Sequence, residues 1–371
     1  MAEVFAARRD RLRERYAENG GAVLISRPAN VRYLAGTAPP GAVLLIGPAA
    51  GDGDTLCCPA TPLSGATVTG RPDDGLRPAL LPEDGPDPVI AAAGLAHRAK
   101  AGELAVEEHH LTVARYRAIG SELPRLRLAD VGLAVERQRI VKDEEEIACL
   151  RIAAEITDQA LGELLESILV GRTERHLALE LERRLVDHGA DGPAFPTSVA
   201  TGPNSGCRGH RPTDRRVEEG DFLTVCVGAD YRGYRCEIGR TFVIGTTPAD
   251  WQIELYDLVF AAQRAARESL RPGMAYRDVD LAARRILDGA GHGAGLAPLT
   301  RHGVGLEIDE DPQLTPAAMG KLDACVPVTV EPGVHLPGRG GVRIDDTLVV
   351  RQEADGGPEL LTITTKELLA L

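Results

Sequence analysis

Aromatic residues make up only 4% of this 371-residue chain, and lysine is confined to Lys100, Lys142, Lys321 and Lys366. The other basic residues are arginine, a bias that reads as codon usage and not as function. There is no excess of positive charge either. The formal net charge of −13 argues against nucleic acid or an anionic membrane surface as the main partner. No run reaches the ~18 consecutive apolar residues that a membrane span needs. The stretch Met1–Gly20 is charged and amphipathic, without the apolar centre or cleavage motif of a signal peptide, so a cytoplasmic location is expected. The seven cysteines are Cys57, Cys58, Cys149, Cys207, Cys226, Cys236 and Cys325. Their number is odd and the one close pair is adjacent, which fits reduced thiols better than a disulfide framework. No CxxC pair suggests a structural zinc site, and internal repeats and low-complexity tails are absent.

What is present suffices for two domains. Apolar residues reach 43%, enough for full cores in a chain of this length. Residues 4–19 read as a helix, followed by short buried strands around Ala22–Ser26 and Gly41–Gly47. Residues 86–135 alternate short apolar runs with helical stretches such as Glu107–Gly120. Strands alternating with helices predict an α/β domain over residues 1–135. The Gly-, Pro- and Asp-rich stretch from Pro59 to Pro88 reads as loop. Residues 139–166 carry the strongest helical pattern, with Ile147, Leu150, Ala154 and Ala160 near helical spacing. The acidic run Asp143–Glu146 fits that helix's first turn. Thr173 is expected to cap a helix over Glu174–His188 that stops at Gly189. Beyond Phe195, strand-like runs dominate, broken by helices near Ile253–Leu270 and Val279–Leu287. This second domain is expected over residues 136–371.

Four segments of the C-terminal half carry the candidate chemistry: Val225–Phe242 (VCVGADYRGYRCEIGRTF), Arg301–Glu310 (RHGVGLEIDE), Val330–His335 (VEPGVH) and Gly341–Asp346 (GVRIDD). Taken with Asn30–Gly36 (NVRYLAG), Val141–Ile147 (VKDEEEI) and His210–Asp214 (HRPTD), they resemble the pita-bread metallopeptidase family, in particular its Xaa-Pro dipeptidase (prolidase-like) branch. Several motifs in one order and spacing are far more specific than any one alone. The resemblance implies an α/β N-terminal domain, then an α+β pita-bread (creatinase/aminopeptidase-like) C-terminal domain, and a homodimer.

The resemblance also implies two divalent metals held by five side chains, at the positions of Cys226, Glu237, His302, Glu331 and Asp345. The family's residues there are Asp, Asp, His, Glu and Glu. Two cations ~3.5–4 Å apart need several anionic oxygens, and a bridging water becomes hydroxide at neutral pH. Here only His302 and Glu331 keep the family residue. Glu237 is a methylene longer, Asp345 a methylene shorter, each changing the reach by roughly 1.5 Å, and Cys226 is a thiol. A thiolate would favour zinc over manganese. The family's three further histidines fall on Gly209, Pro298 and Asp309. Losing a general acid or base typically costs ~10²–10⁴ in rate.

The expected site therefore holds no metal pair and no cofactor, with a single zinc or manganese as the alternative. Its candidate catalytic residues are His302, Glu331, Glu237 and Asp309; its candidate substrate-binding residues are His210, Arg208, Arg301, Arg343 and His335. Arg208, Arg235 and Arg301 are additions to the pattern. A guanidinium is permanently charged and pairs bidentately with carboxylates, so these three are expected to replace part of the metal charge. Plainer readings stand beside these. Cys226 reads most simply as a small core residue, with metal ligand and nucleophile as alternatives. His302 could be a retained scaffold residue, His210 an exposed loop histidine, and Arg343 and Arg240 structural. The intact glycine frames and the changes concentrated at the reactive positions favour a folded protein kept for another task. The functional expectation is a degenerate Xaa-Pro dipeptidase-like protein: a binding or regulatory protein, or a metal-free enzyme on a small polar or short-peptide ligand. The alternative is a metal-dependent Xaa-Pro dipeptidase with an altered site.

Overall fold

A computed structural model describes residues 2–16, 21–48, 53–59, 75–167, 169–291 and 302–371. The chain forms two compact units, Met1–Arg139 and Ile140–Leu371. Among the described residues, no helix is long and apolar enough to cross a membrane, and the seven cysteines are unpaired.

The first unit is built on a mixed six-stranded sheet in the order Leu76–Leu81, Asp54–Pro59, Val43–Ile46, Ala22–Ile25, Glu103–Val106, Arg127–Asp130. Ala22–Ile25 and Val43–Ile46 are buried at every position, as expected of central strands covered on both faces. Helix Pro88–Arg98 presents Ala92, Ala93 and Ala96 to this sheet's core. The sequence reading needs one correction here. Leu76–Leu81, expected to be loop, is a strand running parallel to Asp54–Pro59. It lies at the sheet's edge, where a proline such as Pro78 is tolerated.

In the second unit the longest helix, Glu144–Leu165, starts at a capping box. Asp143 Oδ1 accepts from the Glu146 amide, and Glu146 Oε2 accepts from the Asp143 amide, which satisfies two otherwise orphaned donors. Its apolar face, including Ile147, Leu150, Ala154 and Leu161, packs on Leu223, Val225 and Ile238. Each such aliphatic side chain contributes about 1.5–3 kcal/mol on burial. Helices Asp250–Ser269 and Tyr276–Gly289 cover a second core with Val328, Val330, Val342 and Ile344. Thr173 caps helix Glu174–Asp187 through the His176 amide.

Three antiparallel ladders in this unit carry the candidate residues. Phe222–Val227 lies between Ile238–Val243 and Ser198–Thr201. Gly333–Leu336 pairs with Gly340–Arg343. Asp346–Val349 pairs with Pro327–Val330, which also meets His302–Gly303. A backbone bridge between Gly239 and Asp345 ties the first ladder to the third.

Candidate active site

The strand ends bring six side chains together. Cys226 lies within Phe222–Val227, with Gly239 opposite it across the ladder. Glu237 immediately precedes Ile238–Val243. Its amide donates to Thr347 Oγ1 at 3.0 Å and its carbonyl accepts from the same hydroxyl at 2.8 Å. His302 opens its short strand, Glu331 follows Pro327–Val330, and Arg343 and Asp345 bracket the turn into Asp346–Val349. Cys226, Glu237, His302, Glu331 and Asp345 are all buried.

The five ancestral positions do not act as one set. Ligand atoms of Glu237, His302 and Glu331 lie within 4.8 Å of one another, with His302 Nε2 2.9 Å from Glu331 Oε1. Cys226 and Asp345 form a separate pair, the thiol donating to Asp345 Oδ2 at 3.5 Å. The other oxygen, Asp345 Oδ1, is buried without a hydrogen-bond partner. A β-carbon on residue 239 would lie 2.0 Å from Asp345 Oδ2. Asp345 thus fills the space that a threonine would claim there. The glycine at 239 and the short acid at 345 fit each other.

Among the described residues, the guanidinium that sits among the acids is that of Arg343. Its Nη2 donates to Glu237 Oε1 at 2.9 Å and to Glu331 Oε2 at 2.5 Å. Its Nε lies 2.6 Å from Asp345 Oδ2, although the N–H is not aimed along that contact. Two of the three arginines expected to supply this charge do not. Arg235 pairs with Asp230 at 3.1 Å, Arg208 is exposed, and Arg301 lies outside the described residues. Arg343 is reached by strand alternation: two residues apart, Arg343 and Asp345 point to the same side of an extended chain. That signal was present in the sequence.

The remaining candidates have partners outside the cluster, although the Asp309 charge acts on His302 and the Arg343 charge on His335. Asp309 is exposed and accepts from Gln313 at 2.6 Å. His210 Nε2 is 2.8 Å from Glu174 Oε2. Buried Glu174 also accepts from the Thr201 and Thr213 amides, Asn204 and the Thr213 hydroxyl. His210 therefore anchors a loop. His335 is half-buried with Nδ1 3.1 Å from the Ser205 carbonyl, and burial lowers its pKa.

Burial and crowding set the protonation of the cluster. Burial, then the neighbouring Glu331 charge, raises Glu237 from 4.5 to about 8, against the opposing pull of Arg343. Burial raises Asp345 to about 6, with Arg343 opposing. For His302, burial lowers the pKa, but the Glu331 contact outweighs it and carries the imidazole up to about 9. Burial pushes the Cys226 thiol well above its usual value, so it is not a thiolate at neutral pH. Burial thus favours the protonated form of Glu237, while the Glu331 contact favours the charged form of His302.

The comparisons with known proteins agree with this architecture. The metallopeptidase family M24 model matches residues 148–352, and the creatinase/prolidase N-terminal domain matches residues 8–141. An Xaa-Pro dipeptidase of Pyrococcus furiosus is 38% identical over 231 residues, 62% of this chain and 65% of that relative, just under two thirds of its length. The uncharacterized peptidase YqhT of Bacillus subtilis is 34% identical over 268 residues, covering 72% of this chain and 75% of that protein. Among solved structures, an Xaa-Pro dipeptidase from Bacillus anthracis superposes with a TM-score of 0.89 at 30% identity, covering 99% of this chain and all of that one (100%). The fold is an N-terminal α/β domain followed by an α+β pita-bread domain, and the chain belongs to metallopeptidase family M24.

Proposed function

We propose that this chain does not run the two-metal Xaa-Pro dipeptidase reaction. It uses the same pocket, with Arg343 and His302 as its cations, for a small polar or short-peptide ligand. The observation that carries this reading is the split donor set: the Cys226 thiol pairs with Asp345, apart from Glu237, His302 and Glu331. The donor set does not suit a metal pair. Cys226 offers a buried neutral thiol, and Asp345 is drawn against Gly239.

The residues supply proton chemistry without a metal. Glu237, held neutral near pH 7, can donate a hydrogen bond or a proton, as a carboxylic acid in a site that disfavours its ionised form does. His302, charged and 2.9 Å from Glu331, can donate as well. The pocket is thus equipped to bind a polar ligand or to assist its hydrolysis by general acid catalysis. The same reading takes in a homodimer, which the family resemblance implies, and a cytoplasmic location.

A second reading rests on the convergence of Glu237, His302 and Glu331: one zinc ion bound by these three and an altered dipeptidase. Metal analysis of purified protein together with turnover of a Gly-Pro dipeptide separates the two. The first reading predicts less than one equivalent of metal and no turnover. One equivalent with turnover supports the second, and two equivalents with turnover eliminate the first.

A further inference from the structure

The Ser205 carbonyl is fixed against the hairpin that carries Arg343, and it decides which nitrogen of His335 holds a proton. Ser205 Oγ donates to the Gly202 carbonyl at 2.6 Å and accepts from the Gly341 amide at 2.9 Å. Gly341 leaves room for this approach, since a β-carbon there would fall 2.4 Å from the Ser205 carbonyl oxygen. His335 Nδ1 lies 3.1 Å from that oxygen. A carbonyl only accepts, so Nδ1 carries the proton and Nε2 of the neutral ring keeps its lone pair. Burial, helped by the charges of Arg343 and Arg208, holds the ring's pKa below its ordinary value against the Ser205 bond. Among the described residues, Nε2 has no hydrogen-bond partner. The hairpin also aims this nitrogen. Gly333 pairs with Arg343, and His335 with Gly341. Paired residues, and residues two apart, share one face of a ladder. His335 and Arg343 are therefore diagonal neighbours on one side, roughly 7–8 Å apart. Their cross-strand partners are both glycines, so the hairpin places no other side chain between them.

We propose that His335 Nε2 is the hydrogen-bond acceptor of this pocket, and that it selects small anionic ligands bearing a neutral O–H or secondary-amide N–H. The proposal rests on the reading of the pocket as one for a small polar or short-peptide ligand, and names that ligand's chemistry. The charges of Arg343 and Arg208 act on the ring, so they disfavour an ammonium donor beside it and favour an anionic group in the same ligand. The peptide bond of an Xaa-Pro dipeptide is a tertiary amide without an N–H and leaves Nε2 unpaired. A secondary amide or a hydroxyl satisfies it. One neutral hydrogen bond of this kind is a factor of roughly 5–10 in affinity.

The test titrates the full chain with two matched pairs of anions, N-acetylglycine against N-acetylsarcosine and glycolate against methoxyacetate. Within each pair a methyl group replaces the N–H or O–H hydrogen. Nitrogen-15 histidine spectra read both the affinity and the protonation of the ring. Wild type is expected to bind the donor-bearing member of each pair roughly 5–10-fold more tightly, with the His335 ring neutral and protonated on Nδ1 at neutral pH. His335→Gln, whose amide oxygen can stand in for Nε2, should keep the preference, and His335→Phe should lose it. Circular dichroism controls for folding, and if His335→Phe misfolds, His335→Leu carries the same expectation. Equal affinities within either pair, a preference that survives in the folded apolar variant, or a ring protonated on Nε2 overturns the inference and leaves the reading of the pocket standing. Failure of all four anions to bind overturns that reading and the inference with it.

Discussion

Asp345 and Asp346 are neighbours in the chain, are both fully buried, and each faces an arginine, but they belong to different kinds of structure. Asp346 accepts from Arg240 at 2.8 Å, Gln263 at 2.5 Å, the Thr362 hydroxyl at 3.0 Å and Lys366 at 3.3 Å. Arg240, itself fully buried, also donates to the carbonyls of Gly239, Asp345, Thr364 and Thr365. Asp345 has one thiol, one poorly aligned guanidinium contact and one oxygen with no partner. The same residue types make a satisfied structural lock on one side of the strand and an under-satisfied pocket on the other. Full satisfaction rigidifies a fold, whereas an acid with fewer partners holds less of the surrounding structure in place.

The largest effect that could break this contrast comes from the lock. Arg240→Met should leave Asp346 buried with its main counter-charge lost, costing about 3–5 kcal/mol in chemical denaturation of the second unit. A loss no greater than that of Arg343→Met would erase the distinction.

Next in size is the pH dependence of the pocket. Between 4.5 and about 8 the folded chain holds a proton on Glu237 that the unfolded chain has released, so stability falls as pH rises through that window. Asp345 acts in the same sense between 3.8 and about 6. The His302 charge stabilises fully below 6.5 and is lost as pH rises through about 9. The carboxylates that arginines hold low, such as Glu144 and Glu359, act in the opposite sense, and only in more acidic solution. Thermal melts should therefore show the second unit less stable at pH 9 than at pH 6, with Glu237→Gln flattening the slope. A wild-type melting temperature that rises over this range would contradict the assigned protonation.

A smaller effect is expected at residue 239. Gly239→Thr places a β-carbon on Asp345 Oδ2 and should cost about 1–3 kcal/mol by overpacking. Adding Asp345→Ala should recover part of that, because the two side chains share one space. Additive losses in the double mutant would argue against the fit between them. The smallest effect is expected at His210: Glu174 keeps four other donors, so His210→Ala should cost about 1 kcal/mol or less in denaturant titration and leave zinc affinity unchanged.

Much of this was legible from sequence. The Asp143–Glu146 cap and the apolar face from Ile147 to Leu161 made the long helix readable, because both signals are local. The glycine frames around His302 and Glu331 made the domain readable, because backbones approach closely there. A β-carbon on Gly303, for example, would fall 2.3 Å from the Asp311 carbonyl. Strand Leu76–Leu81 was missed because an edge strand with a proline and exposed positions lacks the alternation that marks a half-buried one. Sequence alone does not separate Arg343 from Arg208 and Arg235. Which guanidinium enters the pocket depends on three ladders meeting, and only its two-residue spacing from Asp345 hinted at it. The match between Gly239 and Asp345 is likewise a product of tertiary packing, through a backbone bridge between positions more than a hundred residues apart.

The central claim is that the changed donor set at Cys226, Glu237 and Asp345 does not hold the family's metal pair. A crystal grown with excess manganese, with anomalous difference density at the Glu237–Glu331–Asp345 cluster, tests it most directly. The account predicts no pair of anomalous peaks between the carboxylates. Two anomalous peaks ~3.5–4 Å apart would contradict it.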